Sequence, residues 1–237
     1  MLDEACREIL EGVSTATLTT CLFKRGFRNC FMQDVHPVDP TAGPMVGEAY
    51  TLRFIPARED IDVLEAYRDP DHPQRYAVEH CPPGQVLVID SRGDARAASA
   101  GDILVTRLKV RGVAGIVTDG GFRDTPAIAR LGFPAYHRRP SAPTGPILHH
   151  AADVGLPIGC GGVAVYPGDI LVGDGEGVVV IPRHLAAEVA EEAAEMTLYE
   201  DWVAEQVRAG CALPGLYPAS EESRRRFAAW RAARERP

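Results

Sequence analysis

Residues 118–124, TDGGFRD, set an arginine and an aspartate side by side behind two glycines and the strand-forming run Val113–Val117. Upstream, Gly101-Asp102 opens a stretch of helical periodicity. A glycine before the first turn of a helix exposes backbone N–H groups that have no intrahelical partner, and such a terminus attracts a carboxylate or phosphate. Asp102 also suits the plain task of a first-turn acid, worth about 1 kcal/mol to the helix. In α/β folds, strand ends and helix starts border ligand clefts. One cleft here would gather backbone donors, the Arg123 guanidinium and the carboxylates of Asp102, Asp119 and Asp124. Such a group suits a hard divalent cation, Mg²⁺ or Mn²⁺; Mg²⁺ needs only one or two protein carboxylates because it keeps several waters. An Arg–Asp pair that merely closes a turn uses the same residues, and the residues alone leave both readings open.

The elements that must position these groups follow from periodicity. Ala5, Ile9, Val13, Ala16 and Leu18 predict a helix over 3–25, stopped by Gly26. Residues 45–55 predict a strand, and a short helical piece is expected around Ile61–Tyr67. Val86–Asp90 is a buried strand, residues 100–111 a helix ended by Gly112, and 113–118 the next strand, giving a βαβ-like unit. The two glycines of TDGGFRD are expected to let the chain turn. A short strand near Phe133–Tyr136 precedes a proline-rich loop over 138–146. Val163–Tyr166, Ile170–Val172 and Val178–Ile181 form a glycine-punctuated β region. Leu185, Val189, Ala193, Met196, Tyr199, Val203 and Val207 predict a long helix over about 183–209. The pentapeptide GDILV occurs at 101–105 and 168–172; context assigns the first copy to a helix start and the second to a strand start.

Composition narrows the class. The chain has 237 residues, enough for a sizeable core, and no shift in composition marks a linker. The expectation is one α/β domain over 1–210 with a helical tail over 211–237. A net charge of −8 provides no basic field for nucleic acid, and Arg138-Arg139 and Arg224-Arg225-Arg226 read as solvated surface. The six cysteines form no CxxC pair and fit no zinc spacing; Cys160 reads as a small core residue. The charged, amphipathic start MLDEACREIL and the lack of a membrane-length apolar run predict a soluble cytoplasmic protein with reduced thiols.

Asp102, twenty intervening residues, then Arg123-Asp124 resembles the D-x20-R-D pattern of the class II pyruvate aldolases of the RraA-like family, which include 4-hydroxy-4-methyl-2-oxoglutarate and 4-carboxy-4-hydroxy-2-oxoadipate aldolases. The preceding GDIL loop and the segment GGVAVYPGDILVGDGEGVVVIP (161–182) extend the similarity to about residues 10–205. The resemblance implies a layered, swivelling β/β/α-type α/β domain, assembled as trimers or hexamers with sites between subunits. It implies a lyase that releases pyruvate from a 4-hydroxy-2-oxo acid and decarboxylates oxaloacetate, with Mg²⁺ or Mn²⁺ held by Asp124. Arg123 would stabilise the enolate, and the backbone N–H groups of Gly101, Asp102, Ile103 and Leu104 would hold the substrate carboxylate. Asp102 would order a water for proton transfer. Glu200 is a further candidate, since a glutamate of that region reaches a neighbouring subunit's site in the family, and Asp119 is a supporting acid. The family also has a branch that inhibits a ribonuclease by surface contact, which gives the second reading, a protein-binding regulator.

Two departures bear on the substrate. The aldolases often carry an acid three residues after the motif aspartate, where this chain has Ala127, and an acid in the first helix, where it has Thr19-Thr20-Cys21-Leu22. Lys24-Arg25 and Arg92 are candidates for meeting a second substrate carboxylate, although solvated surface is the commoner fate of such residues.

Overall fold

Two side-chain caps shape the start of the chain. In the computed structural model, which describes residues 2–234, Asp3 accepts the Cys6 N–H and opens α1 (Glu4–Glu11), and Ser14 accepts the Thr17 N–H and opens α2 (Thr15–Lys24). The continuous helix expected over 3–25 is therefore two helices. The Ser14 hydroxyl satisfies a donor at a fresh helix start, which lets the chain break at Gly12-Val13 and change direction.

Strands β1 (His36–Pro37) and β2 (Met45–Pro56) come next. The helical piece expected around 61–67 is a 3-10 turn at Leu64–Arg68, followed by an unanticipated helix, α3 (Pro73–His80), with proline in its first turn. Then come β3 (Gln85–Asp90), β4 (Ala98–Ala100), α4 (Asp102–Val110), β5 (Gly115–Thr118), β6 (Gly121–Phe122), α5 (Thr125–Ala129), β7 (Ala135–His137) and β8 (Arg139–Pro140). The β region adds β9 (His149–Val154) and β10 (Ile158–Cys160) before the three expected strands β11 (Val163–Val165), β12 (Ile170–Gly173) and β13 (Val178–Ile181). Helices α6 (Ala186–Arg208) and α7 (Glu221–Arg234) complete the described chain. The two GDILV copies diverge as context requires: Asp102 begins α4, and Ile170 begins β12.

Strand β2 organises the sheet. It pairs in parallel with β3 from Glu48 to Arg53. Its other edge takes β12 along Met45–Glu48 and β9 along Leu52–Pro56, both antiparallel, with a bulge between Arg53 and Phe54. The order is β1-β7-β5-β3-β2-β12-β13, with β9 attached to β2. Alternation decides which core each side chain enters. Val86 and Val88 of β3 join Leu171, Val178, Val180 and Tyr136 in a central core. Leu87 and Ile89 point the other way, into a core with Val105 and Leu108 of α4 and Ala77 and Val78 of α3. Both faces of β3 are covered, which is why it reads as an unbroken apolar run. A third core packs α1, α2 and α6 onto Val172, Val179 and Ile181. On α6, Tyr199, Trp202 and Val203 meet Leu216, Phe227 and Trp230, which seats α7. Among the described residues no helix is long and apolar enough to cross a membrane.

Candidate functional site

Strands β4 and β6 run parallel, with Ala98 opposite Gly121 and Ala100 opposite Phe122. The start of α4 and the Arg123-Asp124 pair therefore leave the same strand ends side by side. Three buried hydroxyls lock those ends together. Ser91 Oγ lies 2.7 Å from Ser99 Oγ and 3.0 Å from Thr118 Oγ1, Ser99 and Thr118 are 3.0 Å apart, and Thr118 Oγ1 accepts the Gly120 N–H. A Cβ at Gly120 would stand 2.5 Å from Ser99 Oγ, and one at Gly121 2.5 Å from Ser141 Cβ. Neither glycine has a positive φ. The chain bends at 119–120 as expected, and the glycines of TDGGFRD in addition permit close approach of neighbouring strands.

Asp119 belongs to this frame and does not line the cleft, so the role expected for it beside the cation gives way to a structural one. Its buried carboxylate accepts the backbone N–H groups of Ser91 at 2.7 Å, Gly93 at 2.8 Å and Gly161 at 3.4 Å, joining three loops. Burial raises its pKa, and the backbone donors oppose that rise.

Gly101 has extended backbone (φ −130°, ψ −179°) and opens α4 without a capping side chain. The N–H groups of Asp102, Ile103 and Leu104 have no acceptor among the described residues. A Cβ on Gly101 would stand 2.9 Å from Arg123 Cγ and 2.9 Å from Asp124 Oδ2, so only glycine admits the Arg-Asp pair against the helix start. The Arg123 N–H donates to the Ala100 carbonyl at 3.1 Å, and its Nε donates to Asp124 Oδ2 at 3.2 Å. Asp124 is left-handed (φ 58°, ψ 30°) and opens α5; its side chain makes no capping bond.

Gly101, Asp102, Ile103, Leu104, Arg123 and Asp124 border one cleft of about 520 Å³, faced by Leu64, Tyr67, Gln74, Arg75, Thr144 and Gly145. Asp102 and Asp124 are the carboxylates of its lining, and the described residues contain no cluster of three metal-ligating side chains. One or two carboxylates open to water fit Mg²⁺ or Mn²⁺ and do not fit a closed zinc site.

Several sequence candidates lie elsewhere. Glu200, on α6, accepts from Thr17 Oγ1 at 3.3 Å and the Tyr217 hydroxyl at 3.1 Å, and does not reach the cleft of its own chain. Lys24 pairs with Glu192, and Arg25 with Glu188 and Glu192, which fastens α2 to α6. Arg92 donates to the Leu148 carbonyl. Thr19 and Thr20 line a separate hollow with Phe23 and Phe27. Cys160 is fully buried, and burial pushes its thiol well above the usual range. Sequence reasoning missed Gln74 and Arg75 because it missed α3; the buried spacing Gln74, Ala77, Val78, Cys81 behind Pro73 was the available signal.

Over 121 residues the chain is 40% identical to a Halalkalibacterium halodurans protein provisionally named 4-hydroxy-4-methyl-2-oxoglutarate aldolase, a match covering 49% of this chain and 55% of that protein. An Ectopseudomonas mendocina protein given the same provisional name is 37% identical over 105 residues, covering 44% of this chain and 63% of that one. The chain thus spans less than two thirds of the length of these relatives. Streptomyces coelicolor RraAS2, described as an unusual member of the RNase ES inhibitor RraA family, superposes with a TM-score of 0.75 at 31% identity, over 85% of this chain and 96% of that one. An uncharacterised Pseudomonas syringae pv. tomato protein shares the fold, with a TM-score of 0.81 at 24% identity over 92% of this chain and 95% of that one. The Aldolase/RraA family model matches residues 15–180, and the chain belongs to the RraA-like family.

Proposed function

We propose that the protein is a divalent-metal-dependent lyase that cleaves a 4-hydroxy-2-oxo acid to release pyruvate, and that also decarboxylates oxaloacetate. The observation that carries this reading is the convergence of unengaged N–H groups, Arg123, Asp102 and Asp124 on one cleft. The names of the aldolase relatives support it.

Asp124 would hold Mg²⁺ or Mn²⁺, which when bound would supply Lewis-acid stabilisation of charge on the 2-oxo oxygen. The N–H groups of Asp102, Ile103 and Leu104 bind the substrate's 1-carboxylate at the positive end of α4. In retro-aldol cleavage the 4-hydroxyl gives its proton to the water that Asp102 orders, its C–O bond becomes a carbonyl, and the C3–C4 bond breaks. The electron pair of that bond becomes the pyruvate enolate. Arg123 faces the oxygen that gains charge, and it stays protonated beside a cation. Asp102 orders a water that carries a proton back to C3. Loss of CO₂ from oxaloacetate yields the same enolate, so one site serves both reactions. Leu64 and Ile103 are exposed at the cleft and fit closure by another copy in a homotrimer or homohexamer.

The test is a pyruvate-release screen over oxaloacetate and 4-hydroxy-2-oxo acids, with Mg²⁺ or Mn²⁺ and with EDTA. Release with metal, its loss on chelation, and a drop of about 10²–10³-fold in Arg123→Ala are expected. The likeness to RraAS2 favours a second reading, a protein-binding regulator of ribonuclease activity. No pyruvate from any substrate, together with tight binding to a ribonuclease, would select it.

A further inference from the structure

The C-terminal half of α6 borders an apolar hollow that the lyase chemistry leaves unused. Trp202 packs into the cluster with Leu216, Phe227 and Trp230. Beside that cluster, Val203, Ala204 and Val207 line a hollow of about 390 Å³, and Leu213 and Tyr217 form its far wall. Val207, Leu213 and Tyr217 are 41%, 54% and 51% exposed. The wall is held in place. The Tyr199 hydroxyl donates to the Leu216 carbonyl at 2.6 Å, and the N–H groups of Leu216 and Tyr217 both donate to the Leu213 carbonyl at 2.9 Å. Apolar side chains kept in water by a fixed frame mark a contact surface.

Two opposite charges stand at the ends of the hollow. Glu200 and Arg208 border it, four residues before and four after Ala204. They share the face of Ala204 and lie about 6 Å to either side of it along the helix axis. Neighbouring charges are paired: Glu192 with Lys24 and Arg25, Glu195 with Arg231, Glu205 with Arg234. Arg208 has no carboxylate partner among the described residues. Glu200 accepts from the hydroxyls of Thr17 and Tyr217 and meets no cation among the described residues. An acid and a base equidistant from a small central residue match a two-fold axis, because in an isologous contact residue i of one copy meets j of the other and j meets i.

We infer that this hollow docks a second copy of the chain, with two α6 helices packed antiparallel about a two-fold axis at Ala204. Glu200 of each copy then meets Arg208 of the other, once at each end of the contact. The small side chain at the crossing lets the two helix axes approach closely. Burial of Val207, Leu213 and Tyr217 drives the association, and the two charge pairs fix its register. The contact makes the assembly even-numbered, and it stands whether or not the cleft is catalytic.

The test is the mass of the full chain in solution, measured by light scattering, beside a cross-link at the axis. The wild type is expected to contain an even number of chains. Arg208→Glu sets carboxylate against carboxylate at both ends of the contact and should halve that number. A residue on a two-fold axis meets itself, so Ala204→Cys should give a covalent pair of chains on oxidation with diamide. That variant is made in a Cys211→Ser chain, because the other five cysteines are buried and Cys211 is the accessible native thiol. A wild type with an odd number of chains, monomer or trimer, overturns the inference and leaves the hollow to a different protein. An Arg208→Glu protein of unchanged mass also overturns it. If Arg208→Glu does not fold, Ala204→Cys carries the test, and a chain that stays single after oxidation overturns the inference.

Discussion

Gly101→Ala isolates the geometry of the site from the stability of the fold. Gly101 has extended backbone, which alanine adopts without strain. The added methyl would meet Arg123 Cγ and Asp124 Oδ2 at 2.9 Å, whereas ordinary contact begins near 3.4 Å. Both side chains must therefore withdraw by about 0.5 Å or more. They are 46% and 39% exposed, so they can withdraw toward solvent. The cost in stability is about 1 kcal/mol, at the low end for overpacking, plus a few tenths for alanine at the helix cap. The cost in turnover is larger, because a misplacement approaching 1 Å between reacting groups costs on the order of 10²-fold. Pyruvate release from oxaloacetate, followed beside a thermal melt, reads both. Turnover reduced by about 10–100-fold with a melting temperature lowered by only a few degrees is expected. A Gly101→Ala protein within twofold of wild-type turnover would refute the claim that this glycine sets the position of Arg123 and Asp124.

Asp124→Asn keeps the shape and the tolerance for left-handed backbone. Since the Arg123–Asp124 pair is half exposed, stability to urea should change by less than about 1 kcal/mol, while the metal requirement for half-maximal turnover rises steeply. Asp119→Asn is the converse case. It places an amide where a buried carboxylate accepts three backbone N–H groups, and should cost about 2–3 kcal/mol, read from the urea midpoint. His137, stacked on Phe122, has its pKa lowered to about 4, first by burial and then by His36. The unfolded chain takes up this proton near pH 6.5 and the folded one only near 4, so His137 favours folding above pH 6.5 and loses that contribution as the pH falls to 4. The contribution is roughly 3 kcal/mol. Denaturation at pH 7 and pH 4.5 should show a shallower loss for His137→Phe than for the wild type.

The strands and their connecting helix were legible because they are buried on both faces. Val86–Ile89 and Val178–Ile181 carry apolar residues at every position, which few structures other than covered strands require. The helix start at Gly101-Asp102 was legible from a capping pattern that is local in sequence. What escaped depends on distant partners. The hydroxyls of Ser91, Ser99 and Thr118 meet only after β3, β4 and β5 have assembled, and single serines and threonines carry no periodic signal. Asp119 looked like a site acid because it sits one residue past the strand end. Its partners Ser91, Gly93 and Gly161 lie up to 42 residues away. The break at Ser14 was readable as a cap, but the helical spacing on either side of it stays in phase and hid the interruption. Helix α3 lies within a proline- and charge-rich stretch, where composition outweighed the short buried spacing that defines it.

The energetics of the strand ends separate two kinds of residue that the sequence places side by side. The frame is saturated: Ser91, Ser99, Thr118 and Asp119 are buried with hydrogen-bond partners. The groups that border the cleft are not. Gly101 opens α4 with no capping side chain, where serine or aspartate would add about 1 kcal/mol. Asp124 holds a left-handed backbone, which costs a non-glycine residue on the order of 1 kcal/mol, less for aspartate than for most. The half-exposed pair with Arg123 returns at most about 1 kcal/mol. An ion pair whose task was to close a turn would need neither the strained aspartate nor the missing Cβ opposite it. Both features become intelligible if the carboxylate must stand beside the free N–H groups of α4, so that a cation held by the one meets an anion held by the other.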